Sequence, residues 1–427
     1  MRGEAPDVKR KNVKRKAERG DHEPLTLAMV TGDFYPDAYG GVHRVVYEVS
    51  KRLAQRGHTV HVVTRQVSPE LPLRERLEGM EVWRFPVRDR TLVQFHATEI
   101  LGARRTLAEV AAEGQIDVVN VHEVLPAVGA VLPRRAPVVW TLHAPWGEEW
   151  LDAFLHQRQH QAGPLARLAA RLFAGYIERL ERFTVRRSEL ALVLSEFIKG
   201  KLIETHRFPE ERIRVVGGGV DLERFSPVDD RAALKRALGV GAGEWLVLTV
   251  RRLAPRMGVE ALIEAACLLR RKRQDFRLVV VGDGVMRPQI EAAVERLDCG
   301  EFVKLAGRVP DDELPDYYRA ADLFVLPTRF IEGFGMVTPE SLASGTPVLG
   351  TPVGGTVELL RRFDPECLFA DTRAETMAAK IDAFLSGDRL TAELRHRCRT
   401  FAAEQFDWAC VVDRHEAAYG EAIAARG

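Results

Sequence analysis

An α/β protein built from two doubly wound parallel-sheet halves is the fold class this sequence predicts, and three observations carry the prediction. Short Val- and Leu-rich runs recur along the chain with segments of helical period between them, the pattern of parallel strands covered by helices on both faces. The runs fall into two series separated by a glycine-rich crossing. The length of 427 residues suits two or three domains at roughly 150 residues each.

Residues 1–24 are polar and charged without apolar periodicity, which predicts a disordered arm. Eight basic and three acidic side chains fall in residues 1–20, so the arm is basic at +5. With +1 overall, the remainder is mildly acidic at −4. Order is expected from Leu25. An N-terminal domain over 25–216 has buried strands at 25–31, 59–64, 80–85, 117–121, 137–142, 190–194 and 212–216. A linker over 217–243 carries Gly217-Gly218-Gly219, Pro227 and Gly239-Val-Gly-Ala-Gly243. A C-terminal domain over 244–406 has strands at 245–250, 276–281, 302–305, 323–326, 347–350 and 367–370. The last segment, 407–427, reads as a helix that offers Trp408, Val411, Val412, Ala417, Tyr419 and Ile423 for packing and is free to fold back across the cleft.

Near-balanced charge, 62 Lys and Arg against 61 Asp and Glu, argues against a nucleic-acid binder. No apolar run reaches the roughly 18 residues of a membrane span, and no secretion signal opens the chain, so a cytoplasmic protein is the expectation. Five scattered cysteines without a C-x-x-C pair indicate neither a disulfide framework nor a zinc site.

In an open parallel sheet, ligands bind beyond the carboxyl ends of the strands, and three loops lie there. The first ends in Gly40-Gly41 before a helix expected near Val42, where free backbone N–H groups and the helix dipole favour an anion. It is not the dinucleotide fingerprint; the nearest approach, Gly282-Asp-Gly284, has Arg287 where the third glycine belongs. The second carries Arg251, Arg252 and Arg256 at a helix start, suited to bidentate hydrogen bonds with phosphate. In the third, Glu332-Gly333-Phe334-Gly335 leads into a helix bearing Glu340. Eight residues separate the two carboxylates, a little over two turns, so both can face one cleft.

Taken together with Gly218-Gly219-Val220-Asp221-Leu-Glu-Arg-Phe225, these loops resemble the retaining, family-four (group 1) glycosyltransferases of GT-B architecture, from about Leu25 to the C-terminus. The resemblance implies two Rossmann-like domains facing an interdomain cleft, with a nucleotide-sugar donor on the C-terminal side and a hydroxyl acceptor on the N-terminal side. It implies transfer of a hexose-type sugar with retention to a glycan, lipid-linked or small-molecule acceptor. Glu340 would hydrogen-bond the ribose, and Glu332 would contact the donor sugar. The backbone of Gly333, Phe334 and Gly335, with Arg252, would receive the diphosphate. Gly40 and Gly41 would approach it from the other domain, and His143 would lie beside the sugar and the incoming hydroxyl. Trp146, Glu148 and Glu149 are assigned to the acceptor region. Two departures stand out: Met257 replaces a usual Lys, leaving Arg251 or Arg256 to compensate, and Gly218 replaces a usual Asn.

No metal and no cofactor are expected. No D-x-D pair lies in a suitable loop, Asp229-Asp230 and Asp311-Asp312 read as caps or solvated charge, and His156 and His160 lack the Glu of a metalloprotease motif. Leu165, Leu168, Leu172, Tyr176, Leu180 and Phe183 share a helical face beside arginines. This face either packs on the sheet or, with the basic arm, gives peripheral contact with an anionic membrane. An epimerase on the same scaffold and a noncatalytic nucleotide-sugar-binding protein are the rival functions.

Overall fold

The computed structural model of the protein describes residues 23–132, 136–157 and 163–426; residues 1–22 of the expected arm, His160 and Gly427 lie outside them. The first half runs β1 (Thr26–Val30), α1 (Gly41–Gln55), β2 (Thr59–Arg65), β3 (Arg74–Leu77), β4 (Met80–Phe85) and α2 (Leu92–Glu113). It continues with β5 (Val118–Val121), α3 (Val124–Val131), β6 (Val138–Leu142), α4 (Trp146–Gln157), α5 (Pro164–Val185), β7 (Leu190–Val193), α6 (Glu196–His206) and β8 (Ile213–Val215). The second half runs α7 (Arg231–Ala237), β9 (Trp245–Val250), α8 (Val259–Arg270), β10 (Phe276–Val281), α9 (Arg287–Arg296), β11 (Val303–Gly307) and α10 (Leu314–Ala320). It ends with β12 (Leu323–Leu326), α11 (Val337–Ala343), β13 (Val348–Gly350), α12 (Gly355–Phe363), α13 (Ala374–Ser386), α14 (Ala392–Phe406) and α15 (Trp408–Ala424).

The strands form two sheets, ordered β3-β4-β2-β1-β5-β6-β7-β8 and β11-β10-β9-β12-β13. All pairings are parallel except β3 with β4. Alternation along β1 explains why its residues are apolar throughout: Leu27 and Met29 pack under α1 and α15, whereas Ala28 and Val30 pack under α2 and α3. A separate apolar core fills the second half around Leu248, Val280 and Phe324.

Three expectations are corrected. The strand expected at 367–370 is absent: Pro365–Cys367 is a 3-10 turn and only Leu368 bridges Gly350, because Pro365 sets a helical φ and Asp364 caps the turn through Glu366 N–H, so Cys367 is spent in the turn. Ala417 faces solvent, and Ala418, one position on, takes the buried place on α15. On α5 the buried face carries Ala170, Ala174, Ile177 and Glu181; of the expected stripe, Leu180 and Phe183 pack against the core, while Leu165, Leu168, Leu172 and Tyr176 are exposed. The small alanines let α5 approach its neighbouring helices and turn the N-terminal part of the stripe outward.

The chain crosses between the halves twice, side by side. Val220 N–H donates to Phe406 O at 2.7 Å, and Val220 bridges Asp407. Asp407 caps α15 through Ala409 N–H. From there α15 returns to the first sheet, where Tyr419 O–H donates to Asn120 Oδ1 at 2.8 Å in the core.

Candidate functional site at the junction of the two sheets

The loop after β12 lies against the carboxyl end of β6. A β-carbon at Gly333 would sit 2.3 Å from the His143 carbonyl oxygen, so only glycine fits between the halves there. Ser195 Oγ, at the N-cap of α6, donates to Gly333 O at 2.6 Å. Glu358 on α12 accepts from the first two N–H groups of α6, at 3.0 and 3.2 Å. Phe334 turns its ring inward to meet Phe406 edge-on. Gly41 comes near Met336 from the opposite half, as α1 begins. A β-carbon at Gly218 would lie 2.7 Å from Met336 and from the Phe334 ring, which is what this chain gains by having glycine there.

The three arginines after β9 have different fates. Arg251 is buried and its Nη2 donates to Glu332 Oε2 at 2.6 Å and to Thr328 Oγ1 at 3.1 Å. Arg256 donates to Ile331 O at 2.7 Å and pairs with Glu149 across the junction at 3.0 Å. Arg252 remains solvent-accessible and, among the described residues, donates no side-chain hydrogen bond. Partial enclosure by the cleft walls, and then Arg256, lower its pKa against the opposing pull of Glu149.

Burial pushes the Glu332 carboxyl up, but Arg251, Arg256 and the Thr328 hydroxyl outweigh it and hold Glu332 below the usual carboxylate range. Glu340 behaves oppositely: burial raises it to about 7, although it accepts from Tyr318 O–H at 2.8 Å. The two carboxylates of the spaced pair thus differ in charge near neutrality.

On the N-terminal side, His143 Nε2 meets His122 Nδ1 at 3.2 Å and the rings stack. Burial, then His43 and His415, lower His143 to about 3, so its imidazole is neutral. Glu149 reaches the donor loop through Arg256, and burial raises its pKa. Glu148 instead pairs with Lys201 on α6 at 2.8 Å, and Trp146 packs on the core of the first half while its backbone N–H donates to Glu181 Oε1. Of the expected acceptor residues, the structure therefore brings only Glu149 to the arginine loop.

Beside them, at the carboxyl ends of β1, β2 and β5, Asp33 and Arg65 form a bidentate pair with both distances 2.6 Å. Glu123 accepts from Thr31, Gly32 and Asp33, and buried Glu99 lies 3.6 Å from Arg65. Burial, opposed by Arg65 and reinforced by Glu123 and Asp33, raises Glu99 from 4.5 to about 7. A carboxyl raised on folding contributes its full stability below the unfolded value and loses it as pH rises through the folded one. Wild type is therefore expected to lose about 3 kcal/mol relative to Glu99→Gln between pH 4.5 and 7.5. Urea unfolding of both proteins across that range checks it, and parallel curves would refute it.

Sequence reasoning missed His122, Thr328, Tyr318, Ser195 and Glu358. His122 follows a buried strand directly and Thr328 comes one residue after another, close to the positional signal that selected His143, so they were findable; Tyr318, within α10, carried none. Asp311, read as a cap or solvated charge, instead joins the halves: Tyr35 O–H donates to it at 3.0 Å, and Arg44 and Arg224 pair with it.

Two family descriptions match the two halves: "Glycosyltransferase Family 4" over residues 39–224 and "Glycosyl transferases group 1" over residues 230–405. The chain is 30% identical to a D-inositol 3-phosphate glycosyltransferase of Thermobispora bispora, over 97% of this chain and 96% of that protein. It is 26% identical to an uncharacterised glycosyltransferase of Methanocaldococcus jannaschii, over 90% of this chain and 95% of that one. Among solved structures, sucrose-phosphate synthase of Thermosynechococcus elongatus superposes with a TM-score of 0.78 at 22% identity, covering 94% of this chain and all of that one. Anabaena HepE, in complex with UDP and glucose, gives 0.71 at 19% identity, covering 92% and 98%. Two parallel sheets meeting at their carboxyl ends are the GT-B architecture, and with both halves matched the chain belongs to the group 1, family-four glycosyltransferases.

Proposed function

We propose that the protein transfers a hexose-type sugar, with retention of anomeric configuration, from a nucleotide diphosphate to a hydroxyl acceptor. The observation that carries this reading is the convergence of Arg252, which among the described residues donates no side-chain hydrogen bond, the glycine-framed loop of Gly333 and Gly335, and neutral His143 at the junction of the two sheets.

Breaking the anomeric C–O bond sends its electron pair to a phosphate oxygen and builds positive charge on the sugar. Groups aimed at that phosphate stabilise the transition state more than the ground state. Arg252 and the backbone N–H groups of residues 333–335 supply them, with no metal or other cofactor invoked. Attack on the same face lets the acceptor oxygen bond to the anomeric carbon while its proton passes to the departing phosphate oxygen. Because His143 is neutral and already bonded to His122, its part is to polarise and orient rather than to store the proton. Glu332 holds the donor sugar and Glu340 the ribose. Solved relatives of this fold carry UDP or ADP, which supports a nucleotide donor.

Thermal unfolding with UDP, GDP, ADP and dTDP in excess chelator tests the reading. A nucleotide at a hundred times its Kd adds about 2.7 kcal/mol to native stability. One of the four is expected to raise the Tm of wild type and to lose that effect in Glu340→Ala. If none does, the cleft is not a free-nucleotide site.

The outward Leu165, Leu168 and Leu172, with Arg171 and Arg179 exposed beside them, support peripheral contact with an anionic membrane. No described helix is long and apolar enough to cross one. Co-sedimentation with anionic liposomes at low salt is expected, and its absence would end this part of the reading.

A further inference from the structure

Position 257 and position 251 meet at one point. Arg251 enters from the end of β9 with 7% of its surface exposed, and its Nη2 stops 2.6 Å from Met257 Sδ. The other partners of that nitrogen, Glu332 Oε2 and Thr328 Oγ1, lie at 2.6 and 3.1 Å. A thioether is a weak acceptor, so Met257 adds little to the bonding, although its sulfur packs directly against the guanidinium. The Nε–H of Arg251 is buried without any hydrogen-bond partner, and such a group is costly to leave unsatisfied unless a ligand completes it. Arg256, the alternative cation, is taken up by Ile331 O and Glu149.

We propose that Arg251, rather than Arg256, is the second donor-phosphate cation of this chain, reaching from position 251 the point that a cation at position 257 would occupy. Glu332 and Thr328 hold its Nη2, and its buried, unpartnered Nε–H is uncovered as the donor seats and receives a phosphate oxygen beside Arg252. Arg251 thereby binds the leaving group directly and is also the counter-ion of Glu332. The inference rests on the donor-cleft reading above.

Calorimetric titration of the full chain with UDP, GDP, ADP and dTDP and with the four matching monophosphates separates the two. Wild type is expected to bind one diphosphate more tightly than its monophosphate. Arg251→Met is expected to lose roughly 10- to 100-fold in affinity for that diphosphate, the size of a charge-assisted hydrogen bond, and less than about threefold for the monophosphate. Exchanging the two side chains, Arg251→Met with Met257→Lys, should restore most of the diphosphate preference. Since Arg251→Met strands a buried carboxylate, Arg251→Met with Glu332→Gln is the folding control: it should unfold near the wild-type temperature and still lack the preference. Unchanged diphosphate affinity in Arg251→Met, or an equal loss for both phosphate forms, overturns the inference, and so does a folded exchange variant without recovery. If wild type binds none of the diphosphates, the donor-cleft reading itself falls.

Discussion

Arg252→Ala is expected to lower kcat about a hundredfold and to leave the unfolding temperature almost where it was. The first half follows from what the residue is free to do. Loss of one donor aimed at developing negative charge in an enclosed site costs roughly 3 kcal/mol of barrier, which is two orders of magnitude in rate. The second half follows from what it is not doing: the Arg252 guanidinium holds no other described side chain in place, so removing it opens no bond and strands no charge. Arg252→Lys keeps the charge but not the planar fork and should fall between the two. Acceptor-dependent release of nucleotide, followed beside a melting curve, checks both parts; wild-type turnover in the alanine variant would take Arg252 out of the mechanism.

Glu332→Ala is expected to show the largest loss of stability among the site residues, about 3–5 kcal/mol, because it leaves Arg251 as a buried cation without its carboxylate. The same change removes the acceptor of the Thr328 hydroxyl. Glu332→Gln keeps the shape and an oxygen for both donors and should cost far less, yet it removes the charge offered to the donor sugar. Both variants should therefore be poor catalysts, while only the alanine form is unstable. Denaturant unfolding of the two, with turnover of the glutamine form, decides; equal stability would mean that Arg251 finds another partner.

The helix-wrapped strands were legible because burial on both faces demands continuous Val and Leu, and runs such as Phe276–Val281 state it outright. β3 escaped notice for the same reason in reverse: Arg-Glu-Arg-Leu at an edge buries no residue fully, and only its Leu77 packs against the core. The stripe on α5 misled because periodicity reports that one face is apolar, not which way it points, and here alanines and Glu181 face inward. The glycine and carboxylate frame of the donor loop could be read from spacing. What holds it closed could not: Ser195 to Gly333, Glu358 to α6 and Asp311 to Arg44 join residues more than a hundred positions apart, and polar pairs of that kind leave no local pattern.

The return of α15 to the first sheet has a consequence for synthesis. Asn120 and Tyr419 are 299 residues apart, so at about 5–20 residues per second the ribosome delivers Tyr419 roughly 15–60 s after its partner. Until then, the face of the first sheet that includes Met29, Val118 and Val139 lacks the cover that Val411, Val412, Ala418 and Tyr419 give it. The half that is made first is thus the half completed last. A ribosome-stalled chain ending before Trp408 should expose that face to proteases and chaperones, even with its sheet already assembled.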